Sequence, residues 1–275
     1  MFGHKDKINL FKKLADEDKM SHAYLFFGEP QVGKFLFALS LANYLEKKIF
    51  GLRESDKQPL EEALIIESGE NGLIGIDEIK KIINFLYQKP VFSTRRIAII
   101  RDAENLTDEA QNAALKIVEN PPSQSLIIFT ASNSDSLFSP LVSRLQKIYF
   151  SRLTMEEVKE FLMDNGADSK KIDLIAEESF GRPGLVFNLW KDKKSEKIRK
   201  LAKNFMSQTG KSPVSSRELE EIIESDMDKF FGFLMIETRK NGYKNLSFAK
   251  EILKRSALIK MFNVNKKLQL KAINL

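Results

Sequence analysis

The sequence predicts an α/β protein with a parallel sheet in its N-terminal part, followed by helices only. Three observations carry this prediction. Short apolar runs bounded by polar residues recur through the first 150 positions and alternate with stretches of helical periodicity. A glycine-rich segment joins the first of these runs to a long helix-forming stretch. Beyond Phe150 the strand-like runs vanish, and the remaining periodicity is helical.

In chain order, residues 5–19 form a charged amphipathic stretch with Ile8, Leu10, Phe11 and Leu14 at roughly helical spacing. AYLFF (Ala23–Phe27) reads as a buried strand ending at Gly28, and Lys34–Lys47 as a helix packed on a sheet. ALIIE (Ala63–Glu67) is a second strand. Apolar residues at Ile76, Ile79, Ile82, Ile83 and Leu86 predict a helix over Ile76–Gln88, with Pro90 just past its end. Arg96–Arg101 encloses IAII, the third strand. Asp108–Glu119 is a helix with Ala110, Ala113, Ala114, Leu115 and Val118 on its apolar side, stopped by Pro121-Pro122. SLIIFTA (Ser125–Ala131) is the fourth strand. Helices follow at Met155–Asn165 and Lys171–Ser179, with Gly181-Arg182-Pro183-Gly184 as punctuation. A polar stretch at Ser207–Ser216, with Gly210 and Pro213, reads as a linker. Glu218–Glu224, Lys229–Lys240, Ser247–Ile259 and Val264–Ile273 are the last helices. Three domains are expected: 1–151 (α/β), 152–206 (small and helical) and 207–275 (helical).

Composition narrows the chemistry. The 275 residues are 43% hydrophobic and 30% charged, enough for a substantial core. A net charge of +6 permits contact with nucleic acid without demanding it. With no cysteine, disulfides, thiolate zinc sites and a cysteine nucleophile are excluded, and His4 and His22 are too few for a histidine metal site. The first twenty residues lack the apolar core of a secretion signal, and no run approaches a membrane span, so a cytoplasmic protein without membrane contact is expected.

Gly28–Phe35 reads GEPQVGKF, the G-x-x-x-x-G-K-[ST] phosphate loop with its last position changed. In such a loop, backbone amides cradle phosphates, the lysine meets the β and γ groups, and the terminal hydroxyl ligates magnesium. Gly28, Gln31, Val32, Gly33, Lys34 and Phe35 are therefore candidates for nucleotide contact, although Phe35 has no oxygen for a metal and its side chain reads as core-facing. Lys34 by itself is only a lysine near a helix start, but strand, loop and helix in succession point to phosphate contact or its relic. Asp102, after the third strand, is the candidate acid of a phosphoryl-transfer site; loop or helix-capping chemistry explains it equally well. An active site would place Glu next, but Ala103 stands there, and Glu104 on an extended segment would point to the opposite side. Arg144 reads either as a surface arginine or as one acting in trans on a neighbour's γ-phosphate. A nucleic-acid module using Arg95, Arg96 and Lys116 is a further reading, although no aromatic platform is interleaved with the bases.

His22-Ala23-Tyr24-Leu25-Phe26, Asn112-Ala113-Ala114-Leu115-Lys116 before the proline pair, and Ser143-Arg144-Leu145-Gln146 together resemble a bacterial clamp loader. The stretch IGIDEIKKIINFLYQKPVFSTRRIAIIRDAENLTDEAQNAALKIVENPP, Gly181–Gly184 and the run Asn263–Leu268 look like its delta-prime subunits of DNA polymerase III. The resemblance is dense over residues 1–190, and over 205–260 it rests on helical character and length. It implies an AAA+ domain, a helical lid and a helical collar in a hetero-oligomeric, pentameric ring. The implied partners are gamma/tau-like motor ATPases, a delta-like subunit, indirectly the sliding clamp, and primer–template DNA. It also implies that Arg144 serves the ATP site of a neighbouring subunit as an arginine finger. No cofactor and no zinc are required; weak ATP or ADP binding at the degenerate loop is allowed. The alternative is an autonomous AAA+ ATPase with weak hydrolysis of its own. Three departures from the family pattern stand out: Leu145 replaces the usual cysteine, residues 49–59 lack the zinc module's cysteines, and Gly184 stands where active members have a lid arginine, with Arg182 as a shifted substitute.

Overall fold

In a computed structural model, residues 2–51, 60–69, 71–191, 193–208, 215–240, 246–262 and 264–273 are described. The chain divides into two compact units, Met1–Val186 and Phe187–Leu275.

The first unit is built on β1 (Ala23–Phe27), β2 (Ala63–Ile66), β3 (Arg96–Ile100), β4 (Ser125–Ala131) and β5 (Gln146–Tyr149). All pair in parallel in the order β2-β3-β4-β1-β5. Around them lie α1 (Lys5–Asp16), α2 (Lys34–Lys47), α3 (Ile76–Leu86), α4 (Asp108–Glu119) and α5 (Ser139–Val142); α6 (Met155–Asp164) and α7 (Ser169–Ser179) follow and pack on each other. The division between the units falls inside α8 (Pro183–Lys191).

Alternation along the strands separates two cores. Ala23, Leu25, Ala98, Ile100, Ile127 and Phe129 face one side, against Ile79, Ile82, Leu86, Ala110 and Ala114 of α3 and α4. Tyr24, Phe26, Ile97, Ile99, Leu126 and Ile128 face the other, against Phe11 of α1 and Phe37, Ala38 and Leu41 of α2. The second core is largely aromatic: the Phe37 ring lies 5.2–5.6 Å from those of Phe11, Phe26, Phe50 and Phe150. The helix ends follow local chemistry. Thr107 caps α4 by accepting from the Ala110 amide at 3.2 Å, and Thr154 with Glu157 forms a reciprocal capping box at the start of α6.

Three features differ from the sequence reading. The sheet has a fifth strand, β5; among the described residues it pairs with β1 alone, so its outward Gln146, Lys147 and Tyr149 hide its apolar signature. Leu10, one of the apolar residues at helical spacing in α1, is 47% exposed, and of that helix only Phe11 is fully buried. Helix continues through 183–208, apart from residue 192, which lies outside the described residues.

The second unit consists of α9 (Lys193–Gln208), α10 (Ser216–Glu224), α11 (Met227–Lys240), α12 (Leu246–Met261) and α13 (Lys266–Ile273). Its core gathers Phe205, Leu219, Ile222, Phe230, Leu234, Ile252, Leu270 and Ile273, with the Phe205 and Phe230 rings edge-to-face at 5.7 Å. Of the expected linker, residues 209–214 lie outside the described residues, as do 52–59 of the cysteine-free stretch and Asn263. Among the described residues, no helix is long and apolar enough to cross a membrane.

Replacing Phe37 by alanine should lower the stability of the first unit by ~3–5 kcal/mol, because four rings lose a common partner. Denaturant unfolding measures it; a loss under ~1 kcal/mol would mean that this core collapses around the gap.

Candidate functional site

The candidate site lies where β1 ends. Parallel strands present their carboxyl ends along one edge of the sheet, the usual place for ligands in α/β folds. Phe27 passes into Gly28 between two neighbours: the Gly28 amide donates to the Ala131 carbonyl at 3.3 Å, and the Phe150 amide donates to the Phe27 carbonyl at 2.8 Å. Gly28 has φ +144°, and a β-carbon there would strike the Phe150 carbonyl oxygen, so a side chain is excluded. The loop then turns through left-handed Gln31 (φ 66°) and Gly33 (φ 99°) into α2. Val32 is fully buried in the aromatic core, which leaves only its backbone for contacts. Among the described residues, the backbone amides of Gln31, Val32 and Gly33 have no acceptor within the chain. Such free donors suit an anion.

The loop's carbonyls, by contrast, are engaged. Lys34 Nζ donates to Gly28 at 2.6 Å and Glu29 at 2.8 Å. His4 Nε2 donates to Val32 at 2.9 Å, and the Gly184 amide to Gln31 at 3.0 Å. The Glu29 carboxylate takes a forked contact from Arg152 at 2.7–3.0 Å and another from Arg182 at 2.6 Å. These hydrogen bonds, Arg152 first, hold the Glu29 carboxyl below its usual range. Arg182, considered above as a lid arginine, thus grips the loop's own carboxylate.

Lys34 is 8% exposed. Burial lowers its pKa, and the nearby charges of Glu104, Asp102 and Glu29 act against that shift. The position of Glu104 corrects the sequence reading. After β3 the chain does not stay extended: Asp102 is left-handed (φ 50°), and Ala103–Asn105 form a 3₁₀ turn. This turn swings Glu104 towards Lys34, where it is the largest opposing charge, instead of to the far side. Its Oε1 accepts from the Ser132 amide at 3.1 Å, while Oε2 is buried without a hydrogen-bond partner. Asp102 receives Arg101 at 3.5 Å, and burial raises its pKa.

Phe35 is half-buried at the margin of the aromatic core, and the Arg101 guanidinium lies over its ring, 4.8 Å from the centroid. A P-loop fold implies magnesium held by the loop's last hydroxyl and the acid after β3. The residues here do not fit that ion. Phe35 offers no oxygen, Asp102 is paired with an arginine, and no group of three or more metal-capable side chains clusters among the described residues.

Arg144 lies elsewhere. It precedes β5, whose Gln146 pairs with Tyr24 near the start of β1, whereas Lys34 follows the end of β1. Arg144 thus lies towards the amino-terminal end of the strands and the phosphate loop at their carboxyl end. Its guanidinium pairs with Glu119 at 2.7 Å and donates to the Pro140 carbonyl at 2.8 Å; the side chain is 41% exposed. The site therefore unites Gly28, Gln31, Val32, Gly33, Lys34, Phe35 and Asp102, and leaves Arg144 apart. Arg95 and Arg96 are engaged within the chain: Arg95 with Asp18 at 2.9 Å, Arg96 with Glu62 and the Phe85 ring. Sequence reasoning missed Glu29, Arg101 and Arg152, since nothing local distinguishes them from surface charges.

A five-stranded parallel sheet with a glycine loop after β1, followed by helices, defines a P-loop AAA+ fold. The family described as DNA polymerase III, delta subunit, matches residues 3–154, and the chain belongs to it. The chain is 27% identical to the DNA polymerase III subunit delta' of Bacillus subtilis over 182 residues, which is 62% of this chain and 54% of that protein. It is also 27% identical to replication factor C subunit 3 of Blastobotrys adeninivorans over 177 residues, 64% of this chain and 48% of that one. The chain spans about half the length of these curated relatives or less. Among solved structures, a DNA polymerase III gamma subunit-related protein from Thermotoga maritima shares the fold, with a TM-score of 0.57 and 19% identity over 96% of this chain and 97% of that one. RuvB, the Holliday junction branch migration motor of the same organism, does so with a TM-score of 0.54 and 15% identity, over 100% of this chain and 83% of that one.

Burial of His4 lowers its pKa from 6.5, outweighing the opposing Val32 hydrogen bond. As pH falls below 6.5 the unfolded chain takes up the proton first, so the stability that neutral His4 contributes is present above that pH and is lost on acidification. The stability advantage of the native protein over His4→Gln should therefore shrink as pH falls below 6.5, in urea unfolding measured pH by pH. An advantage that stays constant would show that His4 does not titrate differently on folding.

Proposed function

We propose that this chain is a delta-prime-like subunit of a DNA polymerase III clamp loader, a structural AAA+ ring member whose Arg144 completes the ATP site of a neighbouring subunit. The supporting observation is the separation of the two centres. Arg144 presents a partly exposed guanidinium towards the amino-terminal end of the strands, whereas its own phosphate loop lies at their carboxyl end and, among the described residues, lacks donors for magnesium. Glu119 and the Pro140 carbonyl hold the side chain in place, as in-trans charge stabilisation requires. Membership of the delta family and the likeness to a delta' subunit support the same reading. The proposed assembly is a hetero-oligomer, a pentamer, with gamma/tau-like motor ATPases and a delta-like subunit, acting on a sliding clamp and primer–template DNA. Within it, residues 152–206 act as the lid and 207–275 as the collar.

One observation favours the alternative of weak autonomous hydrolysis: Glu104 lies near Lys34 with an unpartnered carboxylate oxygen. Turnover by the purified chain that Lys34→Ala abolishes would establish that reading.

In the assembled complex with clamp and DNA, Arg144→Ala should leave assembly intact and lower ATP turnover by ~10³–10⁵ at the site it serves. Arg144→Lys should not restore it, because a point charge lacks the planar fork. Unchanged turnover by a correctly assembled Arg144→Ala complex refutes the trans role.

A further inference from the structure

The two positions that hold the metal in a P-loop site are the last residue of the loop and the acid after β3. In this chain both face one guanidinium. Arg101 stacks over the Phe35 ring at 4.8 Å and places Nε 3.5 Å from the Asp102 carboxylate. Its Nη1 donates to Glu67 at 2.8 Å, the residue that follows β2. Three elements of the fold thus converge on the same cation.

The sheet dictates this placement. The Arg101 amide donates to the Ile66 carbonyl at 2.9 Å, continuing the β2–β3 ladder one residue past Ile100. Strand alternation then sends the Arg101 side chain to the face of Ile97 and Ile99, the side covered by α2, where Phe35 stands in the first turn. Phenylalanine and arginine complement each other here: the ring offers a face where a hydroxyl would offer an oxygen, and a guanidinium stacks on that face whereas a hydrated divalent ion needs oxygens in octahedral array. The ion pairs are half-exposed and add little to stability, so their significance lies in where the charge sits.

We propose that Arg101 supplies, tethered to the chain, the positive charge that a divalent cation brings to sites of this class, so that magnesium does not bind here and adds nothing to the affinity of any nucleotide for the loop. Asp102 is neutralised from within, and Phe35 seats the guanidinium. The inference rests on the P-loop architecture and is independent of Arg144; its test uses the full chain alone, so its failure leaves the trans role standing.

The test is equilibrium binding of fluorescently labelled ADP, with excess chelator and then with millimolar magnesium. For the native chain, affinities in the two conditions should agree within about twofold, or binding should be undetectable in both. The double substitution Arg101→Ala with Phe35→Thr frees Asp102 and restores a hydroxyl, and magnesium should then tighten ADP binding by about tenfold or more. Arg101→Lys should remain insensitive to magnesium. Tenfold tightening of the native chain by magnesium would overturn the proposal. So would a double variant that unfolds like the native chain yet binds ADP without magnesium dependence, or not at all.

Discussion

Burial of β1 on both faces is the constraint from which the rest of the first unit follows. Lying between β4 and β5, this strand has no solvent edge, and Tyr24 and Phe26 enter one core while Ala23 and Leu25 enter the other. A strand so confined can emerge only along its own axis, between the ends of its two neighbours. The Ala131 and Phe150 backbones close on that exit, and only a residue without a side chain passes it. The exit of β1 thus fixes where the following loop begins.

Upon that frame the site is held by internal charge pairing. Glu29 is gripped by Arg152 and Arg182, Asp102 and Glu67 by Arg101, and Lys34 is buried beneath its loop with Glu104 and Asp102 near by. A nucleotide site ready for chemistry leaves such charges for the ligand and its metal. Here each loop carbonyl that accepts a bond from Lys34, His4 or Gly184 is a tie to another element, from the N-terminus to α8. Among the described residues, the backbone amides of Gln31 to Gly33 remain without an acceptor, donors that suit an anion.

Arg101 and Arg144 are the same residue type in opposite circumstances. The first turns inward over the phosphate loop; the second stands at the other end of the sheet, braced by Glu119. A guanidinium serves either purpose because it is always charged and its planar fork is pre-organised. On the proposed reading, one arginine closes this chain's own site and the other completes a neighbour's. Membership of the DNA polymerase III delta family covers residues 3–154, the part that contains both.

Much of the architecture was legible in the sequence. Four strands, the helices between them and the loop of Gly28 to Lys34 carry local signals, because apolar runs, 3.6-residue periodicity and glycine at a positive φ depend on near neighbours. The capping boxes Thr154–Glu157 and Ser215–Glu218 are equally local. The edge strand β5 escaped because pairing on one side alone does not require apolar residues on both of its faces. Of the site, residue identities and order were visible, but not the partners. An extended segment after β3 would point Glu104 away; the left-handed turn at Asp102 brings it back. Glu29 meets Arg152 and Arg182 across more than a hundred residues, and Arg101 reaches Phe35 because a sheet ladder and a helix start happen to meet. The sequence by itself determined four of the five strands, the helices between them, and that the loop's last position offers no metal ligand. Only the tertiary structure decided which charges face one another, because ion pairing depends on distances set by how the elements pack, and no local pattern encodes them.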